Sequence, residues 1–309
     1  MDRRDFLKWQ MKGALWLAAG ASGLNAIGGA SQALAAAEPD ISVVRGAPGA
    51  ATRAAVDLLG GMKRFVKPGQ KVVIKPNMSF DTPAEAGSNT HPLVLRELML
   101  MCQEAGASRV LILDNPLRGA EACLQGSGIP EPCNAVMANS VQMVQNESMF
   151  SSVEIRGAAQ MASTQVMKAV LESDVLIAAP AAKSHGATGV SLAVKGQMGL
   201  ILEREIMHSR YNLDTSIVDL ASLLKADLTV VDAIYVLSTG GPYGPGKVLK
   251  EDTIIASADM VAADAQTVSM FEWYGRRFQP RQVPHIKLAH ERGLGRMDVE
   301  NMTVKTVRL

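Results

Sequence analysis

The sequence predicts an α/β fold: a mostly parallel sheet flanked by helices, in one or two lobes. Three observations predict it. Short apolar runs of strand length alternate along the chain with stretches of helical periodicity. No pair of these runs is joined by the tight Asn-Gly or Asp-Gly turn that signals a hairpin. The 309 residues are 48% apolar and 20% charged, enough for one large core or a pair of lobes.

The chain begins with an address. Arg3-Arg4-Asp5-Phe6-Leu7-Lys8 matches the twin-arginine export pattern, and a mild Ala/Gly/Leu stretch follows from Gly13 to Ile27. Ala33-Leu34-Ala35 and Ala35-Ala36-Ala37 offer small-residue cleavage sites. The stretch is too short and Gly-rich for a comfortable membrane span, which wants about 20 apolar residues. Residues 1–37 therefore read as a signal peptide, with the twin-arginine translocase as a transient partner and the periplasm as destination. Residues 38–309 read as the α/β domain. No later run is long and apolar enough to span a bilayer, so a soluble mature form is expected.

Ile41 to Val44 reads as a first strand, and Ala50 to Val66 as a helix with Val56, Leu59, Met62 and Val66 roughly on one face. Pro68-Gly69 makes a turn. Lys71 to Lys75 is a strand ended by Pro76, and Asn77 to His91 a long polar loop of the kind that carries function. Pro92 starts a helix at the position where its missing N–H costs nothing, and Gly106 follows its end. Arg109 to Leu113 is a strand closed by Asp114-Asn115-Pro116. Gly119 to Asn139 carries little signal. Val141 to Val144 and Val153 to Ile155 read as strands, and Thr164 to Ser173 as a helix. Asp174 to Ala179 is a buried strand stopped by Pro180, and a loop of small and polar residues follows.

A helical stretch to Arg210 comes after Gly199, then a helix from Leu213 to Ala226 and a strand from Leu228 to Val231, with Asp232 at its carboxyl end. Ser238 to Gly246 is a Gly/Pro loop. Thr253 to Ser257 is a strand, Val261 to Trp273 and Pro284 to Glu291 are helices, and Met302 to Val307 is the last strand.

Arg3, Arg4, Lys8 and Lys12 against Asp2 and Asp5 place +2 in the first 37 residues; the whole chain carries +1, so the body carries −1. A near-neutral body lacks the electrostatic footprint of a nucleic-acid or anionic-lipid binder. Cys102, Cys123 and Cys133 have no CxxC spacing, which argues against an iron–sulfur cluster or zinc site built by this chain alone. Cys123 and Cys133 could pair under oxidising conditions, but buried free thiols are the simpler reading. There is no GxGxxG after the first strand, no Walker A motif and no GxSxG elbow. The 17 Met residues read as core filling.

The densest group of side chains able to act near neutral pH lies around and after Pro180. Lys183 and His185 sit in the expected loop, Lys195 follows ten residues after His185, and His208 thirteen after that. A lysine can bind an anion or carry a covalent adduct, and a histidine can move protons or ligate a metal. The spacing forms no helical face, so these groups meet only if the fold brings them together; otherwise they are ordinary surface residues. Ligands in open α/β sheets sit beyond the carboxyl ends of strands. That rule adds Lys75 and Asn77, and Asp232 with Gly241 of the Gly/Pro loop, as ligand- or cofactor-binding candidates. The bland alternatives are a strand-end lysine reaching solvent and a plain turn. His91 reads as a helix-entry contact, and His285 and His290 as structural.

These pieces together resemble the bacterial and archaeal family called domain of unknown function 362. The matching segments include Val73-Ile74-Lys75-Pro76-Asn77, Thr90-His91-Pro92, Lys183-Ser184-His185, Leu192-Ala193-Val194-Lys195, Gly199, His208, Val231-Asp232-Ala233, Gly241-Pro242 and Asp259 to Asp264. Some relatives carry an appended ferredoxin-like cluster domain, which implies a possible redox-protein partner. The order His185, Lys195, His208 also resembles the core of nickel-pincer lactate racemases. That resemblance implies Lys195 as the attachment point of a pincer cofactor, His208 as a nickel ligand, and His185 as acid/base and second metal-ligand candidate. Where the racemases place another catalytic His, this chain has Asp114-Asn115-Pro116-Leu117-Arg118. The expectation is thus a periplasmic enzyme acting on a small anionic metabolite through His185, Lys195 and His208. The alternative is a non-catalytic binding or maturation protein serving an iron–sulfur or redox complex.

Overall fold

The computed structural model describes residues 38–309; the signal-peptide assignment to residues 1–37 lies outside them. The strands are β1 (Ile41–Arg45), β2 (Lys71–Pro76), β3 (Arg109–Asp114), β4 (Val141–Met143), β5 (Phe150–Glu154), β6 (Ser163–Met167), β7 (Val175–Ala179), β8 (Ala181–His185), β9 (Gly189–Ser191), β10 (Leu228–Leu237), β11 (Val248–Ser257) and β12 (Val304–Arg308). Ten of them make one mixed, mostly parallel sheet in the order β12-β1-β11-β10-β7-β2-β3-β4, with β8 pairing β10 and β9. β5 and β6 form a separate pair.

Strand residues alternate between two cores, one on each face of this sheet. Val73, Leu176 and Ala178 point into one, among the helices Leu213–Leu223, Met260–Met270 and Pro284–Glu291. Val72, Ile74, Val175 and Ile177 point into the other, under Pro48–Leu58 and Pro92–Glu104. Burial on both faces is why β2 and β7 read as continuous apolar runs rather than alternating ones.

The chain reverses its direction of travel across the sheet beside β2. From β2 it proceeds outward to β3 and β4, whereas from β7, on β2's other side, it proceeds to β10. Connections therefore leave in opposite directions at the β2–β7 boundary and open a crevice at the carboxyl ends, the usual place for a ligand. Thr90 and Asn77 bridge that boundary. The Thr90 hydroxyl accepts the Asn77 N–H (2.8 Å) and donates to the Ala179 carbonyl (2.7 Å), and Asn77 Oδ1 accepts the Ala181 N–H (2.9 Å).

Several elements differ from the sequence reading. The helix expected over Ala50–Val66 is broken into Pro48–Leu58 and Met62–Phe65 by Gly60 (φ +96°) and Gly61 (φ +78°), a backbone that other residues rarely adopt. Ser163–Met167 is a strand, with one helical turn at Lys168–Leu171, because its backbone pairs with β5 while Thr164 and Val166 turn inward at alternate positions. The loop expected after Pro180 is strand β8, folded back on β9. β10 continues past Asp232 to Leu237 and returns as β11, so Asp232 lies mid-strand. These antiparallel hairpins turn through three residues or more, which is why no two-residue signal marks them. Among the described residues, no helix is long and apolar enough to cross a membrane.

Candidate functional site

β2 and β3 run parallel with Ile74 opposite Ile112, so Lys75 and Asp114 emerge together at adjacent strand ends. Their ion pair is 3.1 Å long and buried, with side-chain exposures of 3% and 1%. Asp114 is held from behind. Its Oδ2 accepts the Met78 N–H and the Ser79 hydroxyl, both at 3.0 Å. Lys75 Nζ also donates to the Pro76 carbonyl. Gly199 lies directly against this pair: a Cβ there would overlap Asp114 Oδ1 and Lys75 Cε. Burial lowers the affinity of Lys75 for its proton, and Asp114 opposes that effect.

Lys183 reaches the same space from β8. Its Nζ donates to the Ser88 carbonyl and sits 5.0 Å from the centre of the Phe80 ring. Burial, with the neighbouring charges of Lys75 and Lys195, brings its pKa down to about 7. Lys195 arrives from the other side, on the helical turn Ala193–Gly196. Asp264 secures that turn by accepting the Ala193 and Val194 N–H groups at 2.9 and 2.8 Å. Lys195 is buried, makes no hydrogen bond or ion pair among the described residues, and lines the cleft. Burial and the nearby Arg204 and Lys75 lower its pKa to about 8.

The two imidazoles stack loosely, with ring centres 6.3 Å apart and planes 25° apart. His185 is partly buried at the end of β8, and burial with the charge of Lys195 drives its pKa to about 3. Its Nδ1 accepts the Ala187 N–H at 3.2 Å, so the neutral ring carries its proton on Nε2. His208 is more exposed; burial and Lys195 lower its pKa as well. Both rings are therefore neutral at physiological pH.

His185, Lys195 and His208 line one cleft of about 90 Å3 together with Lys75, Asn77 and Lys183. Asp232 and Gly241 do not line it. The Asp232 carboxylate is engaged by the N–H groups of His91 (2.6 Å) and Ile234 (3.0 Å), which ties the start of a helix to β10. The Gly241 N–H donates to the Ser184 hydroxyl at 3.0 Å, and a Cβ at Gly241 would strike the Ser184 backbone. His91 Nδ1 accepts the Leu93 N–H at 3.1 Å and caps its helix. Cys102, Cys123 and Cys133 are buried and free.

Asp114 and Arg204 were not singled out by the sequence reading. Asp114 looked like a strand-closing turn residue, and only strand pairing reveals it as the partner of Lys75. Arg204 lay in a featureless helical stretch; it lines the cleft and donates to the Asn115 carbonyl.

Lys75, Lys183, Lys195 and Arg204 thus surround a space in which Asp114 is the buried acid and Glu205 stands at the exposed edge. That arrangement selects anions. Among the described residues, no group of three or more His, Cys, Asp and Glu is placed to hold a metal. Two imidazoles alone fall short of a protein-built metal centre.

Fold and cleft define an α/β protein with a lysine- and histidine-lined crevice at the strand ends. Residues 72–269 match the family described as Domain of unknown function (DUF362), and the chain belongs to that family. It is 26% identical over 228 residues to the thylakoid-associated protein sll1697 of Synechocystis sp., an alignment covering 70% of this chain and 67% of that protein. Among solved structures, the lactate racemase apoprotein from Thermoanaerobacterium thermosaccharolyticum is similar with a TM-score of 0.46 and 13% sequence identity. That match covers 74% of this chain and 56% of the racemase chain.

Proposed function

We propose that this protein is an enzyme that binds a small carboxylate or similar anion in the crevice and moves a proton on it. The observation that carries the reading is the excess of buried cations. Lys75 is matched by Asp114, and half-buried Arg204 feels the carboxylates of Asp114 and Glu205, which leaves the buried Lys183 and Lys195 to be balanced by a ligand. Burying unpaired cations is costly, and a bound anion offsets that cost. The neutral imidazoles of His185 and His208 supply the base: a neutral ring can take a proton from the substrate without first losing one to solvent, and the imidazolium so formed can give it back.

Proton transfer can be followed without knowing the physiological substrate. The protein is incubated with pyruvate or lactate in D2O and the carbon-bound protons are followed by NMR. Deuterium should appear at the carbon next to the carbonyl or carboxylate. His185→Ala should slow exchange by roughly 100-fold or more while binding measured by calorimetry persists. Binding without exchange in the unaltered protein would reduce the site to a non-catalytic receptor.

A further inference from the structure

The three cleft lysines are not equivalent. Lys75 is tied to Asp114 and the Pro76 carbonyl, and Lys183 to the Ser88 carbonyl and the Phe80 ring. Both are anchored by their ammonium ends, which suits them to attract a carboxylate and not to travel. Lys195 has no such tether, although its stem is buried and its backbone turn is clamped by Asp264. Lys195 lines the same cleft as the two neutral imidazoles, and its charge acts on both of them. A fixed stem and an unengaged amine beside acid/base groups describe a nucleophile.

We propose that Lys195 forms an imine with a small 2-oxo acid whose carboxylate is held by Lys183 and Arg204. This assignment rests on the anion-binding reading above and names its substrate class. A 2-oxo acid fits because the cleft recognises negative charge and presents an amine next to it, and such an acid carries an electrophilic carbon beside its carboxylate.

The step balances without redox chemistry. The Lys195 nitrogen attacks the carbonyl carbon, a C–N bond forms, and the carbonyl electron pair moves to oxygen; a neutral imidazole takes one proton from the now cationic nitrogen and hands it to that oxygen, ending neutral. In the resulting carbinolamine the nitrogen lone pair forms the C=N bond as the C–O bond breaks, and the remaining nitrogen proton, relayed by the same imidazole, goes to the departing hydroxyl, which leaves as water. The net change is amine plus ketone to imine plus water. With its pKa near 8, roughly a tenth of Lys195 is unprotonated at pH 7, against fewer than about one in a thousand for an ordinary lysine.

The test is reductive trapping on the full chain. Protein is incubated with pyruvate and sodium cyanoborohydride, and the site of any adduct is mapped by peptide mass spectrometry. Thermal shift with pyruvate, and with lactate as a carbonyl-free comparator, is measured in parallel. The expected result is one reduced pyruvate per chain on Lys195, with trapping that rises about tenfold from pH 6 to pH 7. In Lys195→Arg the adduct disappears while both acids still raise the melting temperature. No adduct, or an adduct on Lys183 or scattered surface lysines, would overturn the imine while the two thermal shifts leave the anion reading standing. If neither acid shifts the melting temperature and nothing is trapped, both readings fall. Should Lys195→Arg fail to fold, the mapped site in the unaltered chain decides.

Discussion

Burial outweighs every attraction that Lys183 makes. The face of Phe80 favours a cation by about 0.5–2 kcal/mol, and the Ser88 carbonyl accepts a hydrogen bond from Nζ. A fall from 10.5 to about 7 is on the order of 5 kcal/mol in the other direction. The ammonium is therefore a cost to the fold. The unfolded chain binds a proton at Lys183 up to about pH 10.5, whereas the folded chain releases it near 7. Between those values the unfolded state holds more protons, so this residue's cost is full below pH 7 and fades as pH rises. Lys183→Met removes the titration. The unfolding free energy of the unaltered protein relative to that variant should rise by roughly 3 kcal/mol from pH 7 to pH 10, as measured by urea denaturation at each pH. A difference that stays flat would mean that Lys183 is not a buried cation. The same reasoning makes anion binding take up protons near neutral pH.

At the scale of elements, the site is made by strand ends that arrive at one place. β2 delivers Lys75, β3 delivers Asp114, and β7 hands over through Pro180 to β8, which carries Lys183 and His185. The segment Gln197–Leu200 closes over them, and the Asn115 N–H donates to the Gly199 carbonyl at 2.9 Å. Gly199 is needed because the ion pair occupies the space of a side chain. Gly199→Ala should cost about 1–3 kcal/mol and weaken anion binding, since the lysine tip yields more readily than the Asp114 carboxylate clamped by Met78 and Ser79. Melting temperature and calorimetry check this together; an alanine that leaves both unchanged would show that the turn has slack. Much of this layout was legible beforehand, because β2, β3 and β7 are apolar runs ended by Pro76, Asp114-Asn115-Pro116 and Pro180. β8 was not, since Ala181 to His185 has neither an apolar alternation nor a turn signal, and its strand character comes from pairing with β10 and β9. The convergence of His185, Lys195 and His208 could only be posed as a question. Their spacing matches no helix or strand period, and what joins them is the return of the chain after β9.

At the scale of the molecule, one sheet serves both cores. Alternate residues of β2 and β7 face opposite sides, so loss of the strands exposes both clusters at once. The separate pair β5 and β6 packs only on the core that holds Trp273, but two strands alone do not sustain a core, and a single cooperative transition is expected. The chain supplies a reporter for each face. Trp273 is fully buried in one core, and it is the sole tryptophan from residue 38 onward. Cys102 and Cys133 are buried in the other, and burial raises both thiols to about 12, which keeps them unreactive while the fold is intact. In a chain starting at residue 38, tryptophan fluorescence and thiol labelling by a disulfide reagent should report the same urea midpoint. A labelling midpoint well below the fluorescence midpoint would mean that the helices Pro48–Leu58 and Pro92–Glu104 detach first. The crevice at the β2–β7 boundary would then depend on one face more than the other, because Asn77 and Thr90, which bridge it, lie in the segment between those two helices.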